Sequence, residues 1–556
     1  MSSTHLNRRT FIGAGAAALA LPHNAIAANQ ERPNVILIMT DDQGYGDLGV
    51  HGNDKIRTPH LDAFAEQSAH IPHFYVCPVC APTRACLMTG RYNYRTGVVD
   101  TYLGRAMMHS EEETIAEMLS DAGYETGIFG KWHLGDNAPL RSNEQGFKES
   151  LVHMGGGIAQ PSDPPGNRYF DPQLSHNGEM KQYNGYCTDI FTDACIGFVQ
   201  QNKDKPFFAY LATNAPHTPL QIHADYVKPY LDMGLDETTA KVYGMVENID
   251  DNVGKLLKAL DQNRLTENTI VIFMTDNGPQ QERYTAGLRG RKGSVYEGGV
   301  RVPFYIRWPK RLQAGALVDR IAGHIDVTPT ILDACGINKP QEVSFDGKSV
   351  LPLLEGKQTA WPDRTLFFQW HRGDEPERFR ASAVRGQRFK LVDGKALYDI
   401  ENDPGESTDI ASQHPDTVAT MRQQYLDWFR DVSGERGYFP PRIHIGSPHE
   451  NPAILTPQDW RGPDAGWDKT SVGYWEVNVL ENKNYDVHLR FRPLTKGGTA
   501  YFKLRSVLLR HDLKPGEDSL TFSSVRLPQG PARLEAWIDF GDNAVGMQYV
   551  DVFQMD

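Results

Sequence analysis

The sequence has few cysteines, no long apolar segment after its N-terminal region and no excess of basic residues. Six cysteines in 556 residues are too few for a disulfide-stabilised scaffold, although Cys187 and Cys195 could pair. After the N-terminal region, no apolar run reaches about 18 residues, the length that predicts a membrane-spanning helix. Acidic residues outnumber basic ones by 70 to 57, giving a formal net charge of −13, and an acidic protein is a poor partner for nucleic acid.

The length predicts several domains, because single hydrophobic cores stop growing at roughly 250–300 residues. Changes in composition along the chain place the boundaries. We predict an α/β domain over 33–355, a small α+β subdomain over 356–435, a Pro-, Gly- and Asp-rich linker over 436–470 and a β-sandwich over 471–556.

The N-terminus resembles an export signal. Arg8 and Arg9 precede a mildly apolar Gly/Ala/Leu stretch, and Ala25-Ile26-Ala27 forms a cleavage-site pattern. The segment has no core periodicity, which argues against a frayed structural helix. We predict that residues 1–27 are a twin-arginine signal read by the bacterial export machinery, so that the protein works in the periplasm or outside the cell.

Two continuous apolar runs mark the main domain. "PNVILIMTDD" (33–42) and "TIVIFMTDNG" (269–278) have the pattern of strands buried on both faces of a parallel sheet. Helical periodicity between such strands predicts a large, mostly parallel mixed sheet flanked by helices. Because ligands bind beyond the carboxyl ends of such strands, the acidic residues after both runs are expected at one site.

These strand ends carry hard oxygen ligands. Asp41 and Asp42 follow the first run, and Asp276 and Asn277 follow the second. Carboxylate and amide oxygens suit Ca²⁺ or Mg²⁺ rather than Zn²⁺. An Asp pair alone is more often a cap or a turn, so the matching second motif carries the prediction of a metal site.

The stretch "CPVCAPTRACLMTG" (77–90) predicts a helix that begins near Cys80. Pro82 suits the first turn of a helix, and the pattern continues to Gly90, so Cys80 is expected at a helix N-terminus, where an anion is favoured. Cys77 and Cys86 fit the ordinary role of buried small thiols.

The motifs together resemble the type I, formylglycine-dependent sulfatases of the alkaline phosphatase superfamily. Cys80-x-Pro-Thr-Arg84 is similar to their modification signature, with Thr83 where the family often has Ser. Further motifs follow in family order: "TDDQGYGDLG" (40–49), "GKWHLG" (130–135), "NAPHTPL" (214–220), "TDNGP" (275–279) and "RKGSVYEGGVRVP" (291–303). The resemblance covers residues 33 to about 430.

The resemblance implies a site and a chemistry. Asp41, Asp42, Asp276 and Asn277 would bind one divalent cation, calcium rather than magnesium, with modified Cys80 as a further ligand. A formylglycine-generating or anaerobic sulfatase-maturing enzyme would convert Cys80 to an aldehyde. The hydrated aldehyde has two hydroxyls: one attacks sulfur, and deprotonation of the other releases sulfate.

The remaining roles are also implied by the resemblance. Arg84 would orient the modified side chain, and His133 would be the base for sulfate release. His217 would be the acid for the leaving oxygen. Lys131 and Lys292 would bind sulfate oxygens.

Three functions remain open at this point. The first is hydrolysis of sulfate esters of a carbohydrate, either a polysaccharide or its oligosaccharides. The second is phosphodiester or phosphonate monoester hydrolysis on the same fold. The third is binding without catalysis, although no site residue is missing. In the predicted sandwich, the candidates for contact with a sulfated glycan are Trp475, Trp537, Arg490 and Arg492.

Overall fold

A mixed sheet, parallel at its centre, forms the middle of the protein. The computed structural model describes residues 32–357 and 361–555, and the predicted export signal over 1–27 lies outside the described residues. The strands up to residue 323 are β1 (Asn34–Thr40), β2 (Ala69–His70), β3 (Phe74–Tyr75), β4 (Glu125–Lys131), β5 (Glu149–His153), β6 (Gln173–His176), β7 (Glu179–Gln182), β8 (Phe207–Ala212), β9 (Thr269–Thr275), β10 (Phe304–Arg307) and β11 (Ala322–Gly323). The sheet order is β2-β10-β9-β1-β8-β4-β5-β6-β7, and β3 pairs separately with β11.

The central strand β1 explains why the sequence predicts this sheet. It runs parallel to β8 and β9, while β10 at one side is antiparallel to β9. Val35, Leu37 and Met39 pack into the core on one face of the sheet, and Ile36 and Ile38 pack into the core on the other. A strand buried on both faces requires a continuous apolar run. The predicted mixed, mostly parallel sheet is confirmed.

Helices cover both faces of this sheet. They are α1 (Pro59–Glu66), α2 (Cys80–Thr89), α3 (Asn93–Thr96), α4 (Ile115–Asp121), α5 (Cys187–Gln201), α6 (Ala224–Asp232), α7 (Glu237–Gln262), α8 (Glu297–Val300), α9 (Val327–Ala334) and α10 (Leu351–Leu354). Helices α2, α4 and α9 pack on one face, and α1, α5 and α7 pack on the other. Within the described part of the chain, no helix has the length and apolar character needed to cross a bilayer.

Helix α5 excludes the disulfide considered from the sequence. Cys187 and Cys195 both lie in this helix, eight residues apart. At 1.5 Å per residue their backbones are roughly 12 Å apart, beyond the ~7 Å limit for a disulfide. Cys187 and Cys195 are buried thiols that form no disulfide with each other.

The small subdomain follows the main domain. Its elements are β12 (Leu366–Gln369), β13 (Ser382–Arg385), β14 (Phe389–Val392), β15 (Ala396–Asp399) and α11 (Pro415–Gly434). The four strands form an antiparallel sheet in chain order. Tyr425 and Trp428 of the helix pack in the same apolar cluster as Leu391 of the sheet. The predicted combination of short strands and one amphipathic helix is confirmed.

The C-terminal region is a two-sheet sandwich. Its strands are β16 (Ile443–Ile445), β17 (Ala453–Leu455), β18 (Tyr474–Val479), β19 (Asn484–Arg490), β20 (Gly498–Leu504), β21 (Val507–Leu513), β22 (Ser519–Arg526), β23 (Gly530–Asp539), β24 (Ala544–Gly546) and β25 (Tyr549–Gln554). One sheet has the order β16-β18-β23-β20-β21, with β24 beside β23, and the other has the order β17-β25-β19-β22. Tyr485, Val487 and Leu489 are fully buried between them, as their alternation predicts.

The segment predicted as a linker, 436–470, belongs partly to this sandwich. Strand β16 pairs with β18, and β17 pairs with β25, so the segment supplies one strand to each sheet. Three-residue strands are too short to show a period-two pattern within a Pro- and Gly-rich composition. The linker interpretation is therefore wrong for these two strands.

Candidate active site

Two neighbouring strands bring the acidic motifs of the sequence together. Thr40 at the end of β1 pairs with Thr275 at the end of β9, so the residues that follow leave the sheet side by side. The Asp42 amide donates to Asp276 Oδ1 at 3.2 Å, and Asn277 Nδ2 donates to Asp42 Oδ1 at 2.8 Å. The two motifs thus form one buried polar cluster.

Cys80 lies against these carboxylates from the first turn of α2. The helix begins at Cys80 and contains Pro82, whose missing N–H costs no hydrogen bond in the first turn. Cys80 Sγ and one carboxylate oxygen each of Asp41 and Asp276 lie within 4.8 Å of one another. Burial raises the pKa of the Cys80 thiol although the charge of Lys131 opposes this. The unmodified side chain is therefore a neutral thiol.

Two buried cations hold this arrangement. Arg84, one turn further along α2, donates from Nη2 to Asp276 Oδ2 at 2.8 Å and from Nη1 to the Lys131 carbonyl at 2.9 Å. Lys131 ends β4 and donates from Nζ to Asp41 Oδ2 at 2.6 Å. All four side chains are at most 1% exposed. Buried charges are tolerated only with such partners, so Arg84 fixes the Asp276 carboxylate and the end of β4 relative to α2.

Asp42 receives two further basic side chains. Lys292 Nζ lies 2.5 Å from Asp42 Oδ1, and His217 Nε2 lies 3.8 Å from Asp42 Oδ2. Burial would raise the pKa of Asp42, but Lys292 and His217 hold it below its usual range. His217 Nδ1 donates to the Thr218 carbonyl at 2.6 Å, which leaves a lone pair on Nε2. Burial lowers the pKa of His217 to about 3 although Asp42 opposes this.

His133 follows β4 and is oriented by one hydrogen bond. Its Nε2 donates to the Thr101 carbonyl at 2.8 Å, so Nδ1 carries the lone pair. Nδ1 is buried and has no hydrogen-bond partner among the described residues. Burial, followed by the charge of Lys131, lowers the pKa of His133 well below its ordinary value. The side chain is a neutral imidazole with a free acceptor atom.

The cluster fits a divalent cation. Asp41 Oδ1, Asp42 Oδ2 and Asn277 Oδ1 are buried and accept no hydrogen bond from any residue that the structure describes. Burial, followed by repulsion from Asp41, raises the pKa of Asp276 to about 7. Ca²⁺ prefers carboxylate and amide oxygens as ligands. Buried oxygens that accept no hydrogen bond and lie beside other carboxylates are therefore suited to bind it. A hard cation would satisfy all of them.

A glycine-rich loop, which sequence reasoning missed, packs against both histidines. A Cβ on Gly156 would lie 2.4 Å from His133 Nε2, and a Cβ on Gly157 would lie 2.9 Å from His217 Cε1. Only glycine permits this close approach without moving a ring. The three consecutive glycines in "MGGGIAQ" (154–160) were the available signal, but they do not indicate which side chain they contact.

His153 was also missed. It pairs with Lys131 across β5 and β4, and burial followed by nearby cations, Lys131 first among them, lowers its pKa to about 3. Its Nε2 has no hydrogen-bond partner among the described residues. Nothing in the local sequence distinguishes it from an ordinary core histidine, since its position depends on strand pairing.

Family models match two successive parts of the chain. The model described as "Sulfatase" matches residues 33–337, more than half of the chain. The chain belongs to the sulfatase family. A second model, "N-sulphoglucosamine sulphohydrolase, C-terminal", matches residues 291–429. This enzyme is a sulfuric ester hydrolase, and the phosphodiester or phosphonate alternative is not favoured. Neither match extends into the sandwich.

Characterised sulfatases are similar over most of their length. N-acetylgalactosamine-6-sulfatase from Canis lupus familiaris is 32% identical over 379 residues, which is 63% of this chain and 70% of that protein. Human arylsulfatase A is 31% identical over 469 residues, which is 71% of this chain and 87% of that protein.

A solved structure of similar architecture is that of Ps i-CgsB in complex with k-i-k-neocarrahexaose. It is 30% identical, covers 73% of this sulfatase and 95% of its own chain, and has a TM-score of 0.67. The complex of BT4656 with D-glucosamine-2-N,6-O-disulfate has a TM-score of 0.59 at 22% identity, which shows likeness of fold alone.

The structure places every predicted site residue in one region. Nine are joined by the contacts described above: Asp41, Asp42, Cys80, Arg84, Lys131, His217, Asp276, Asn277 and Lys292. The tenth, His133, lies two residues after Lys131, and burial, followed by the charges of Lys131, Arg84 and His217, lowers its pKa. Their catalytic roles remain predictions.

Proposed function

We propose that this sulfatase removes sulfate from a sulfated carbohydrate, either a polysaccharide or its oligosaccharides. The observation that carries the proposal is Cys80 at the first residue of α2, within 4.8 Å of Asp41 and Asp276 oxygens. The names of similar proteins support the substrate class, since one is an N-acetylgalactosamine-6-sulfatase and another was solved in complex with k-i-k-neocarrahexaose.

The proposed cofactors are one Ca²⁺ and a formylglycine made from Cys80. Asp41, Asp42, Asp276 and Asn277 would hold the cation, and in three of them an oxygen accepts no hydrogen bond from any described residue: Asp41 Oδ1, Asp42 Oδ2 and Asn277 Oδ1. Bound there, the cation would offset the charge of the sulfate group. Formylglycine would supply a hydrated aldehyde as nucleophile, which a neutral thiol cannot replace.

The protein's own residues would handle charge and protons. Lys131 and Lys292, now paired with Asp41 and Asp42, would bind sulfate oxygens once the cation holds those carboxylates. His133 would accept a proton at Nδ1, the atom left free by its bond to Thr101.

His217 would donate a proton from Nε2 to the leaving sugar oxygen. Burial keeps this imidazole neutral, and an anionic sulfate ester beside it would favour its protonated form. Arg84 would position residue 80 through its bonds to Asp276 and the Lys131 carbonyl.

Export and maturation complete the proposal. Arg8, Arg9 and the apolar stretch that follows them support a twin-arginine route to the periplasm. Because that route carries folded protein, a formylglycine-generating or anaerobic sulfatase-maturing enzyme would act on Cys80 in the cytoplasm, before the site is buried.

The test is a substrate panel with the matured enzyme. 4-Nitrophenyl sulfate, the matching phosphonate monoester and phosphodiester, carrageenans, fucoidan, ulvan and glycosaminoglycans are incubated in parallel. Released sulfate is measured by ion chromatography, and the product position is read by NMR. We expect sulfate release from at least one glycan. Release from aryl sulfate alone would refute the glycan assignment, and phosphorus ester turnover without sulfate release would refute the sulfatase assignment.

A further inference from the structure

A cleft of about 530 Å³ lies between the sandwich and the loop over residues 159–166. Its volume falls in the range of roughly 300–1,000 Å³ that is usual for ligand sites. The sandwich side carries Trp467, Lys469 and Arg492, and Gln160 lies on the side of the main domain. One wall of the cleft therefore lies within the residues that match the family, and the other lies outside them.

Both walls of this cleft contact residues that position His133. Gln160 Oε1 accepts from the Gly156 amide at 2.9 Å, and Gly156 is the glycine packed against the His133 ring. On the other side, the ring of Trp467 meets the ring of Tyr102 edge-on at 5.3 Å. The residue before Tyr102 is the one whose carbonyl accepts from His133. The cleft thus adjoins the active site.

A row of stacked side chains connects the two sites. We call Trp370, Arg372, Tyr102 and Trp467 the aromatic row. The Arg372 guanidinium lies 5.1 Å from the centre of the Trp370 ring and 4.4 Å from that of the Tyr102 ring. A Cβ on Gly293, the neighbour of Lys292 in the chain, would lie 3.0 Å from the Trp370 ring. The row runs from the predicted sulfate-binding lysine to the sandwich.

The exposed groups in the cleft suit an anionic sugar chain. Trp467 is 40% exposed and is held by its Nε1 bond to the Pro457 carbonyl at 3.2 Å. Lys469 and Arg492 are exposed, and neither forms an ion pair within the described part of the chain. Asp468 is an exposed carboxylate in the same segment, so individual cations rather than a uniform positive field would bind sulfate groups.

Of the four glycan-contact candidates predicted from the sequence, burial excludes one, two lie outside the cleft and one lines it. Trp475 is fully buried in the sandwich core. Trp537 stacks on Tyr501 with ring centres 4.9 Å apart, and alternation along β23 points it away from that core. Arg490 is paired with Asp551 at 2.8 Å. Arg492 is the one of the four that lines the cleft.

We propose that the sandwich supplies a second glycan subsite, which binds sugar residues next to the one that loses its sulfate. Trp467 stacks on a sugar ring, and Lys469 and Arg492 pair with sulfate groups on it or on its neighbour. This inference rests on the proposed function and adds to it that recognition extends beyond one sulfated sugar into a domain outside the family match.

The test compares chain lengths. Oligosaccharides of two, four and six sugars from ι-carrageenan and from chondroitin sulfate are assayed beside 4-nitrophenyl sulfate. For the wild-type enzyme we expect kcat/KM to rise tenfold or more from the disaccharide to the longer substrates. The variant Trp467→Ala and the double variant Lys469→Ser/Arg492→Ser should remove that rise. Their decrease in kcat/KM on the longer glycans should be at least tenfold larger than their decrease on the aryl sulfate.

Matched controls separate the cleft from general effects. Trp537→Ala removes a sandwich tryptophan outside the cleft, and Arg510→Ser/Lys514→Ser removes two exposed cations with the same change in net charge. Both should keep the dependence on chain length. Binding of the hexasaccharides to Cys80→Ala protein, measured by calorimetry, gives a second readout that does not require turnover.

The outcomes distinguish the two proposals. A wild-type enzyme without dependence on chain length, or cleft variants that retain it, would overturn the subsite. An enzyme that hydrolyses the aryl sulfate but neither desulfates nor binds any of the oligosaccharides would overturn the subsite together with the glycan part of the proposed function. An enzyme that releases no sulfate from any ester would instead overturn the proposed function.

Discussion

The carboxyl edge of the central sheet and the interior of the sandwich are both buried, but they differ in what fills them. The sheet edge holds Asp41, Asp42 and Asp276 at 0% exposure, and Asp41 Oδ1 and Asp42 Oδ2 accept no hydrogen bond from any described residue. The sandwich interior holds mainly apolar residues, and the indole of its buried Trp475 has a partner: Nε1 donates to the Thr456 carbonyl at 2.8 Å. The sandwich interior is stabilised mainly by apolar burial, whereas the sheet edge depends on buried ion pairs and keeps oxygen atoms that a bound cation would satisfy.

The largest expected effect comes from removing the predicted nucleophile. Cys80→Ala should lower kcat by about 10⁴-fold or more, because a covalent route cannot proceed without its nucleophile. The measurement is sulfate release from the best substrate of the panel. Cys195→Ala, which removes a buried thiol from α5 on the opposite face of the sheet, should keep its turnover. Activity of Cys80→Ala within tenfold of wild type would contradict the prediction.

The next effect tests the sandwich. Trp475→Ala removes the largest fully buried side chain of the protein and should cost about 3–5 kcal/mol in the free energy of unfolding of the sandwich. Scanning calorimetry should show this loss, with a smaller change for Trp537→Ala, whose ring is partly exposed. A loss below about 1 kcal/mol would mean that the core does not depend on apolar packing.

Removal of the metal tests the sheet edge. A cation present at a hundred times its Kd stabilises the folded protein by about 2.7 kcal/mol, so chelation should lower the Tm and abolish activity together, and added Ca²⁺ should restore both. The double variant Asp42→Asn/Asp276→Asn should lose both responses. Asp189→Asn, which alters a half-buried carboxylate bonded to Asn248 and Asn252, should keep both responses. A wild-type Tm that does not respond to chelation would contradict the metal assignment.

The smallest effect concerns the glycine loop. Gly156→Ala would place a Cβ 2.4 Å from His133 Nε2, so the ring must shift. Because a misplacement of about 1 Å can cost up to 10²-fold, we expect kcat to fall 10- to 100-fold with little change in Tm. Gly197→Ala in α5, where a Cβ would meet nothing within 4 Å, should keep activity and gain about 0.5–1 kcal/mol of stability. Unchanged kcat in Gly156→Ala would contradict the conclusion that the glycine loop positions the His133 ring.

Local patterns were sufficient to predict the architecture of each domain, but not the short strands β16 and β17. The apolar run of β1 is buried on both faces, and the alternation in β19 matches its buried and exposed residues. The site residues were identified through family motifs, because the pairing of Thr40 with Thr275 joins positions 235 residues apart. No local pattern shows which strands are neighbours.

The missed features depend on contacts between distant segments. Gly156 is recognisable as a glycine, but its contact with His133 depends on how the loop after β5 folds back. Trp475 and Trp467 are both tryptophans of the same region, yet one is 0% and the other 40% exposed. Burial of an aromatic residue is set by packing, which composition does not reveal.

The most direct test of the central claim is one sample of enzyme examined in two ways. Sulfate release is measured, and the peptide that contains residue 80 is analysed by mass spectrometry. The account predicts an aldehyde at residue 80 in active enzyme, with specific activity proportional to the fraction converted across preparations made with and without the maturing enzyme. Full activity in a preparation that contains only the intact Cys80 thiol would contradict it.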